Sequence, residues 1–224
     1  MAPAGPPYRR TRRRTAATGS STASTRCAHL GLVRTDLLGH SGGADPATRY
    51  VARHPERVGR LASITPSLWT AGIPVPGEVR RERARPRHDE PWFPAAYAAP
   101  EAITEGRATA DTWQAVTPFP YGRWDEEARA FEAAGEAQRD EGAAGAFAGE
   151  GAFGPDATRP ALGRFDGPVL PLAGEVDPGG PPVAVTEFAG LFPKAGLVVR
   201  PGAGHFPWRD DSDRFAASMA ACVI

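Results

Sequence analysis

Cysteine is scarce in this sequence. Cys27 and Cys222 lie near opposite ends of 224 residues and are the only two, which gives neither a disulfide framework nor the closely spaced ligands of a zinc site. No metal or other cofactor is expected, and a reducing, cytoplasmic setting suits this usage. Lysine is scarcer still, with Lys194 alone among 26 basic residues. The 26 acidic residues bring the formal charge to zero, so the chain as a whole lacks the positive field that nucleic acid or anionic lipid would require. No run approaches the roughly 20 apolar residues of a membrane span. Nor does an apolar core of about 7–15 residues follow the N-terminal arginines, as a secretory signal would require. These absences leave a small molecule as the expected partner, with neither nucleic acid nor membrane, and they do not indicate an oligomeric state.

What is present divides into three textures. Residues 1–30 are basic and rich in Ser and Thr. Five arginines fall between Arg9 and Arg14, and no acidic residue precedes Asp36. Such a segment has too few apolar groups to offset its ordering entropy, which predicts a disordered arm. The excess of Arg over Lys, beside abundant Ala, Gly and Pro, reads as the coding bias of a GC-rich genome rather than a device for phosphate recognition. From Gly31 to about Thr70 the pattern is strand, sharp turn, helix, strand. Val33, Leu37 and Leu38 lead to Gly39, a helix follows Ser41 and ends at His54-Pro55, and Leu61, Ala62 and Ile64 supply the second strand. That order is a βαβ unit, which implies parallel pairing and a right-handed crossover.

Residues 71–160 hold no convincing strand but carry scattered aromatics. A helix is predicted over Trp124–Gln138, where Trp124, Ala128 and Phe131 recur at helical spacing. From 161 the α/β rhythm resumes with a strand at Val169–Ala173, a helix marked by Val183, Val185 and Phe188, a strand at Leu197–Val199, and a final helix around Phe215 and Met219. Pro171 removes a ladder donor from the first of these strands. The predicted organisation is an α/β core built from 31–70 and 161–224, with 71–160 inserted as a helical cap. At this length the core can be a single domain of mostly parallel sheet.

The chemistry centres on Gly39-His40-Ser41-Gly42-Gly43. A serine on a strained turn between strand and helix forms a nucleophile elbow, and a side chain at either flanking glycine is expected to clash with the close-packed strand and helix. The Gly42 N–H and the positive end of the following helix would face a developing oxyanion. Serine also needs a base, and the base needs an orienting carboxylate. Asp177 follows the strand Val169–Ala173 and His205 follows Leu197–Val199, so both are expected at the carboxyl edge of the sheet where the elbow opens.

Three stretches resemble α/β-hydrolases of the capped esterase and proline-iminopeptidase-like kind. They are Asp36-Leu-Leu-Gly-His-Ser-Gly-Gly with Tyr50-Val-Ala-Arg-His-Pro-Glu-Arg-Val58, Pro168 to Asp177, and Phe192-Pro193 through Pro201-Gly-Ala-Gly-His-Phe-Pro-Trp208. The resemblance implies an α/β-hydrolase fold, with Ser41 as nucleophile, Asp177 as orienting acid and His205 as general base. It also implies acyl transfer on small ester, amide or short peptide substrates. A proline-iminopeptidase-like cap would offer Glu132 or Glu136 to a substrate's terminal amine, against the alternative that these acids form a solvated helix face.

The pattern departs from the family at its start. Only 40 residues precede Ser41, where the family carries several strands and a His-Gly loop that supplies a second oxyanion donor. Met1 to Arg26 resemble nothing in the family, so the N-terminal third reads as replaced or misread. Three functions therefore compete: a working serine hydrolase, a non-catalytic or impaired remnant that binds a small hydrophobic ligand, and, as the weakest, nucleic-acid binding by the basic arm.

Overall fold

The computed structural model describes residues 31–138 and 153–223, together with His29, Asp140, Gly142 and Phe147. The basic arm, including Cys27, lies outside the described residues apart from His29.

Four strands, β1 (Thr35–His40), β2 (Val58–Ile64), β3 (Val169–Gly174) and β4 (Val198–Arg200), form one parallel sheet in the order β1-β2-β3-β4. β1 begins later than the apolar pattern suggests, because Val33 lies outside it and is 81% exposed. Helix α1 (Ala44–Arg53) connects β1 to β2, and α7 (Pro182–Ala189) connects β3 to β4. Between β2 and β3 the described residues form helices and turns without a strand: α2 (Gly77–Ala84), α3 (Phe93–Thr104), α4 (Ala110–Val116), α5 (Glu126–Ala137) and α6 (Pro155–Leu162). The short α8 (Pro207–Asp210) and the terminal α9 (Ser212–Val223) follow β4.

Side-chain alternation along β2 sends Leu61 to one face of the sheet and Ala62 and Ile64 to the other. On the first face Leu61 and Val169 pack with Tyr50 and Val51 of α1, Leu162 of α6 and Phe188 of α7. On the second, Ile64 and Leu172 meet Trp208, Phe215 and Met219 of α8 and α9. Every residue of β3 is buried, the unbroken burial expected of an interior strand with both faces covered. Phe165 and Phe188 are almost fully enclosed, and each such side chain contributes about 1.5–3 kcal/mol through burial.

Pro171 sits in that interior strand without breaking it. Val169 N–H donates to Lys194 O and Gly196 N–H to Val169 O, both across 2.9 Å, so the odd-numbered residues of β3 turn their backbone groups toward β4. Pairing with β4 resumes only at Leu172↔Val198, after the isolated bridge Val169↔Ala195. The missing donor of Pro171 falls in the gap between these two points.

The predicted helix around Trp124 starts at Glu126, one residue after Asp125, whose carboxylate accepts from Ala128 N–H as an N-cap. No helix among the described residues is long and apolar enough to cross a membrane.

Candidate active site

β1 ends at His40, and the chain turns at once through a 3-10 turn, Ser41–Gly43, into α1. Ser41 adopts φ +51°, a left-handed conformation that costs a non-glycine residue energy and concentrates at functional sites. Gly39 permits the turn. A Cβ there would stand 2.6 Å from Ala44 Cα and 2.7 Å from Gly43 O, so strand and helix close on each other across a bare backbone. Gly43 differs from the sequence-based expectation. No described atom lies within 4 Å of the Cβ it would carry, and its φ is −70°. Among the described residues, only Gly39 of the two flanking glycines meets atoms that exclude a side chain.

His205 brings three chain segments together. Its Nδ1–H donates to Asp177 Oδ2 across 2.8 Å, and Ser41 Oγ–H donates to its Nε2 across 2.7 Å. The carboxylate assigns the tautomer, since an ionised acid only accepts, which leaves Nε2 as the free base facing the serine. Asp177 is 1% exposed, and its second oxygen accepts from Gly179 N–H at 2.8 Å. The residues expected at Ser41, Asp177 and His205 are thus hydrogen-bonded in sequence at the carboxyl ends of β1, β3 and β4. Gly42 stands in the first turn beyond the serine, at the positive end of α1.

The His205 backbone is held from both sides. Its carbonyl accepts from His40 Nε2–H at 2.9 Å and from Thr65 Oγ1–H at 2.8 Å, and its N–H donates to Pro120 O at 2.5 Å. Burial lowers the pKa of His40 below its ordinary 6.5, which favours the neutral ring that can donate through one nitrogen. Thr65, at the end of β2, adopts φ +37°, a rare conformation for a β-branched residue, and its N–H is committed to Leu172 O at 2.7 Å. Nothing in the sequence marks Thr65, because its part depends on a contact with a residue 140 positions away.

Asp45 was also missed by sequence reading. It lies in the first turn of α1, 1% exposed, with Oδ1 accepting from Thr70 N–H at 2.8 Å and Oδ2 without a partner. Burial raises its pKa above the ordinary 3.8, against the pull of the Thr70 N–H. The loop it grips also touches the elbow directly, as Ser67 N–H donates to Ser41 O at 3.0 Å.

Residues between β2 and β3 wall the site. Phe147 lies 3.2 Å from the position of a Cβ on Gly42 and packs with Trp69 and Phe153. The Tyr121 ring lies tilted against Phe206 with centroids 5.1 Å apart, and its hydroxyl donates to Glu132 Oε2. Burial, then the Glu132 carboxylate, pushes the Tyr121 hydroxyl well above its ordinary pKa. Of the two acids considered for amine recognition, Glu132 faces this wall, while Glu136 is exposed. Among the described residues no group of three or more His, Cys, Asp or Glu side chains is placed to hold a metal ion.

A family model described as "alpha/beta hydrolase fold" matches residues 11–210. The match begins at residue 11, inside the Met1–Arg26 segment expected to resemble nothing in the family. No curated protein matches the sequence. Among solved structures, a proline iminopeptidase from Mycobacterium smegmatis superposes with a TM-score of 0.64 at 21% identity, covering 92% of this chain and 70% of that one. A serine hydrolase from the polyaromatic-hydrocarbon-degrading bacterium Cycloclasticus zankles gives 0.59 at 16% identity over 91% and 69%. A thermophilic esterase from Thermogutta terrifontis gives 0.54 at 21% identity over 93% and 71%. At these identities the likeness is one of fold.

Proposed function

The chain belongs to the α/β-hydrolase fold family, and on that premise we propose that it is a serine hydrolase that cleaves small ester or amide substrates through an acyl-enzyme on Ser41. The observation that carries this reading is the unbroken hydrogen-bonded run from Asp177 through His205 to Ser41, at 2.8 and 2.7 Å.

His205 Nε2 takes the Ser41 proton as Oγ adds to the substrate carbonyl carbon. The buried Asp177 carboxylate stabilises the imidazolium that forms. Negative charge collects on the former carbonyl oxygen, toward which the Gly42 N–H and the positive end of α1 are directed. Collapse of the tetrahedral species expels an alcohol or amine, which leaves with the proton from His205. Water, activated by the same histidine, then releases the acid and restores Ser41.

In this proposal residues 71–160 act as a cap on a core formed by 31–70 and 161–224. Support comes from the way the insertion reaches the site twice, through Pro120 O at the His205 backbone and through Phe147 beside Gly42. A cap of this kind excludes water and shapes the pocket. The similarity to an iminopeptidase and an esterase leaves both amide and ester cleavage within this reading, with Glu132 as the acid available to a substrate's amine.

The aromatic group of Trp69, Phe147 and Phe153 beside Gly42 favours a second reading, in which the chain binds a small hydrophobic ligand without turnover. A fluorophosphonate probe separates the two. The hydrolase reading expects labelling of the purified protein at Ser41, abolished in Ser41→Ala, together with turnover of short-chain p-nitrophenyl esters. Folded protein that is neither labelled nor active would overturn that reading.

A further inference from the structure

A cavity of about 880 Å³ opens between α2, α3 and α4, with Pro178, the residue after Asp177, in its lining. Ser41 and His205 do not line it. Its volume falls in the range of about 300–1,000 Å³ typical of small-molecule sites. The body is apolar and partly aromatic, formed by Tyr97, Ile103, Trp113, Val116 and Phe119. Trp113 is 56% exposed at this wall, unusual for a tryptophan that packs only into its own core.

Charge sits at one side of the cavity. Arg80, Arg81 and Glu78, all from α2, are the ionised groups that line it, and together they leave a net single positive charge. Arg80 is partly engaged, donating from Nη1 to Pro178 O at 3.0 Å and from Nε to Val75 O at 3.3 Å. The Arg81 guanidinium has no hydrogen bond or ion pair among the described residues. A planar guanidinium matches a carboxylate through two parallel hydrogen bonds. An apolar chamber with one net positive charge on its edge is complementary to a molecule with an apolar body and one negative head.

We propose that this cavity is a second binding site, distinct from Ser41, for an amphipathic monocarboxylate. The head lies against Arg81 and Arg80, and the apolar body lies along Trp113, Ile103 and Phe119. Neither the site nor its occupant depends on the hydrolase reading.

The experiment uses the full chain with dodecanoate as the probe, below its aggregation concentration, and follows tryptophan fluorescence with Trp113→Phe as the signal control. Saturable binding is expected, weakened at least tenfold when dodecanol replaces dodecanoate and at least tenfold in Arg81→Ala. Ile103→Trp, which fills the chamber, provides a second variant, and thermal melts of both establish that they fold. Protein whose Ser41 has been blocked by fluorophosphonate, or replaced in Ser41→Ala, keeps the affinity of the unmodified chain. Equal affinity for dodecanol and dodecanoate would remove the role of the arginines. Loss of binding on blocking Ser41 would assign the ligand to the catalytic pocket, and absence of saturable binding would end the proposal.

Discussion

His40 Nε2–H donates to the carbonyl oxygen of His205 across 2.9 Å, so the residue just before the elbow serine steadies the backbone of the histidine that faces it. The two rings lie 4.9 Å apart, and the bond requires a proton on His40 Nε2, which the Nε2–H neutral tautomer and the imidazolium both carry. Burial lowers the pKa of His40 below 6.5 and favours the neutral ring, against the pull of this hydrogen bond. Below that value the unfolded histidine takes up a proton that the folded one resists, so its contribution to stability is present above pH 6.5 and is lost as pH falls through the lower folded value. Urea midpoints measured from pH 8 to pH 5 are expected to fall for the native chain and to fall less in His40→Gln, which retains a donor. Under the hydrolase reading, His40→Ala, with none, is expected to lower kcat by up to about 100-fold through misplacement of His205.

Asp177 accepts from both His205 and Gly179 while almost fully enclosed. Asp177→Asn retains the shape but offers the imidazole an amide that can donate, which favours the wrong tautomer. A loss of about 10⁴ in kcat with little change in KM is expected under the hydrolase reading, checked by steady-state ester hydrolysis beside a circular-dichroism melt. A variant of near-native activity would contradict the assigned role.

The two glycines that flank the elbow are expected to separate sharply. Gly39→Ala drives a Cβ into backbone atoms at 2.6 and 2.7 Å, a clash with no flexible side chain to yield, and is expected to cost about 3 kcal/mol. Gly43→Ala meets no described atom within 4 Å at a helical φ, and the lower backbone entropy of the unfolded chain makes it neutral or stabilising by about 0.4–1 kcal/mol. Chemical denaturation of the two variants reads both outcomes.

Asp45 tests the opposite sign of linkage. Its carboxyl is buried and its pKa raised above 3.8, so between 3.8 and the folded value the native state holds a proton that the unfolded state has released. Stability contributed by this group therefore declines as pH rises through that window. Asp45→Asn retains an acceptor for Thr70 N–H without the buried charge, and at pH 7 is expected to match or exceed the native chain. Asp45→Ala leaves that donor unpaired and is expected to cost about 1–3 kcal/mol. Thermal melts of the pair at pH 5 and pH 8 provide the check.

Much of the site was legible in the sequence because its signals are local. The apolar run into Gly39, the helix that follows Ser41, and the short strands before Asp177 and His205 each occupy a few consecutive residues. Glycine and proline punctuate them, and side-chain period separates strand from helix. Those patterns predict a parallel sheet with three polar residues at its carboxyl edge, and the described strands follow that order. The expected need for glycine at 43 finds no steric partner among the described residues, because a motif records residue types and not the space around each one.

By itself, then, the sequence determined the order of elements, the elbow, and the residue types of the Ser41, His205 and Asp177 trio. Tertiary structure decided which other groups serve them. Thr65 and His40 reach His205 O from 140 and 165 positions away, and Asp45 meets Thr70 across 25. Such pairings arise from sheet register and from the docking of loops on a buried core. Burial then alters the chemistry of the groups it encloses, depressing His40 and raising Asp45, and no local pattern of residues encodes how much water each will lose.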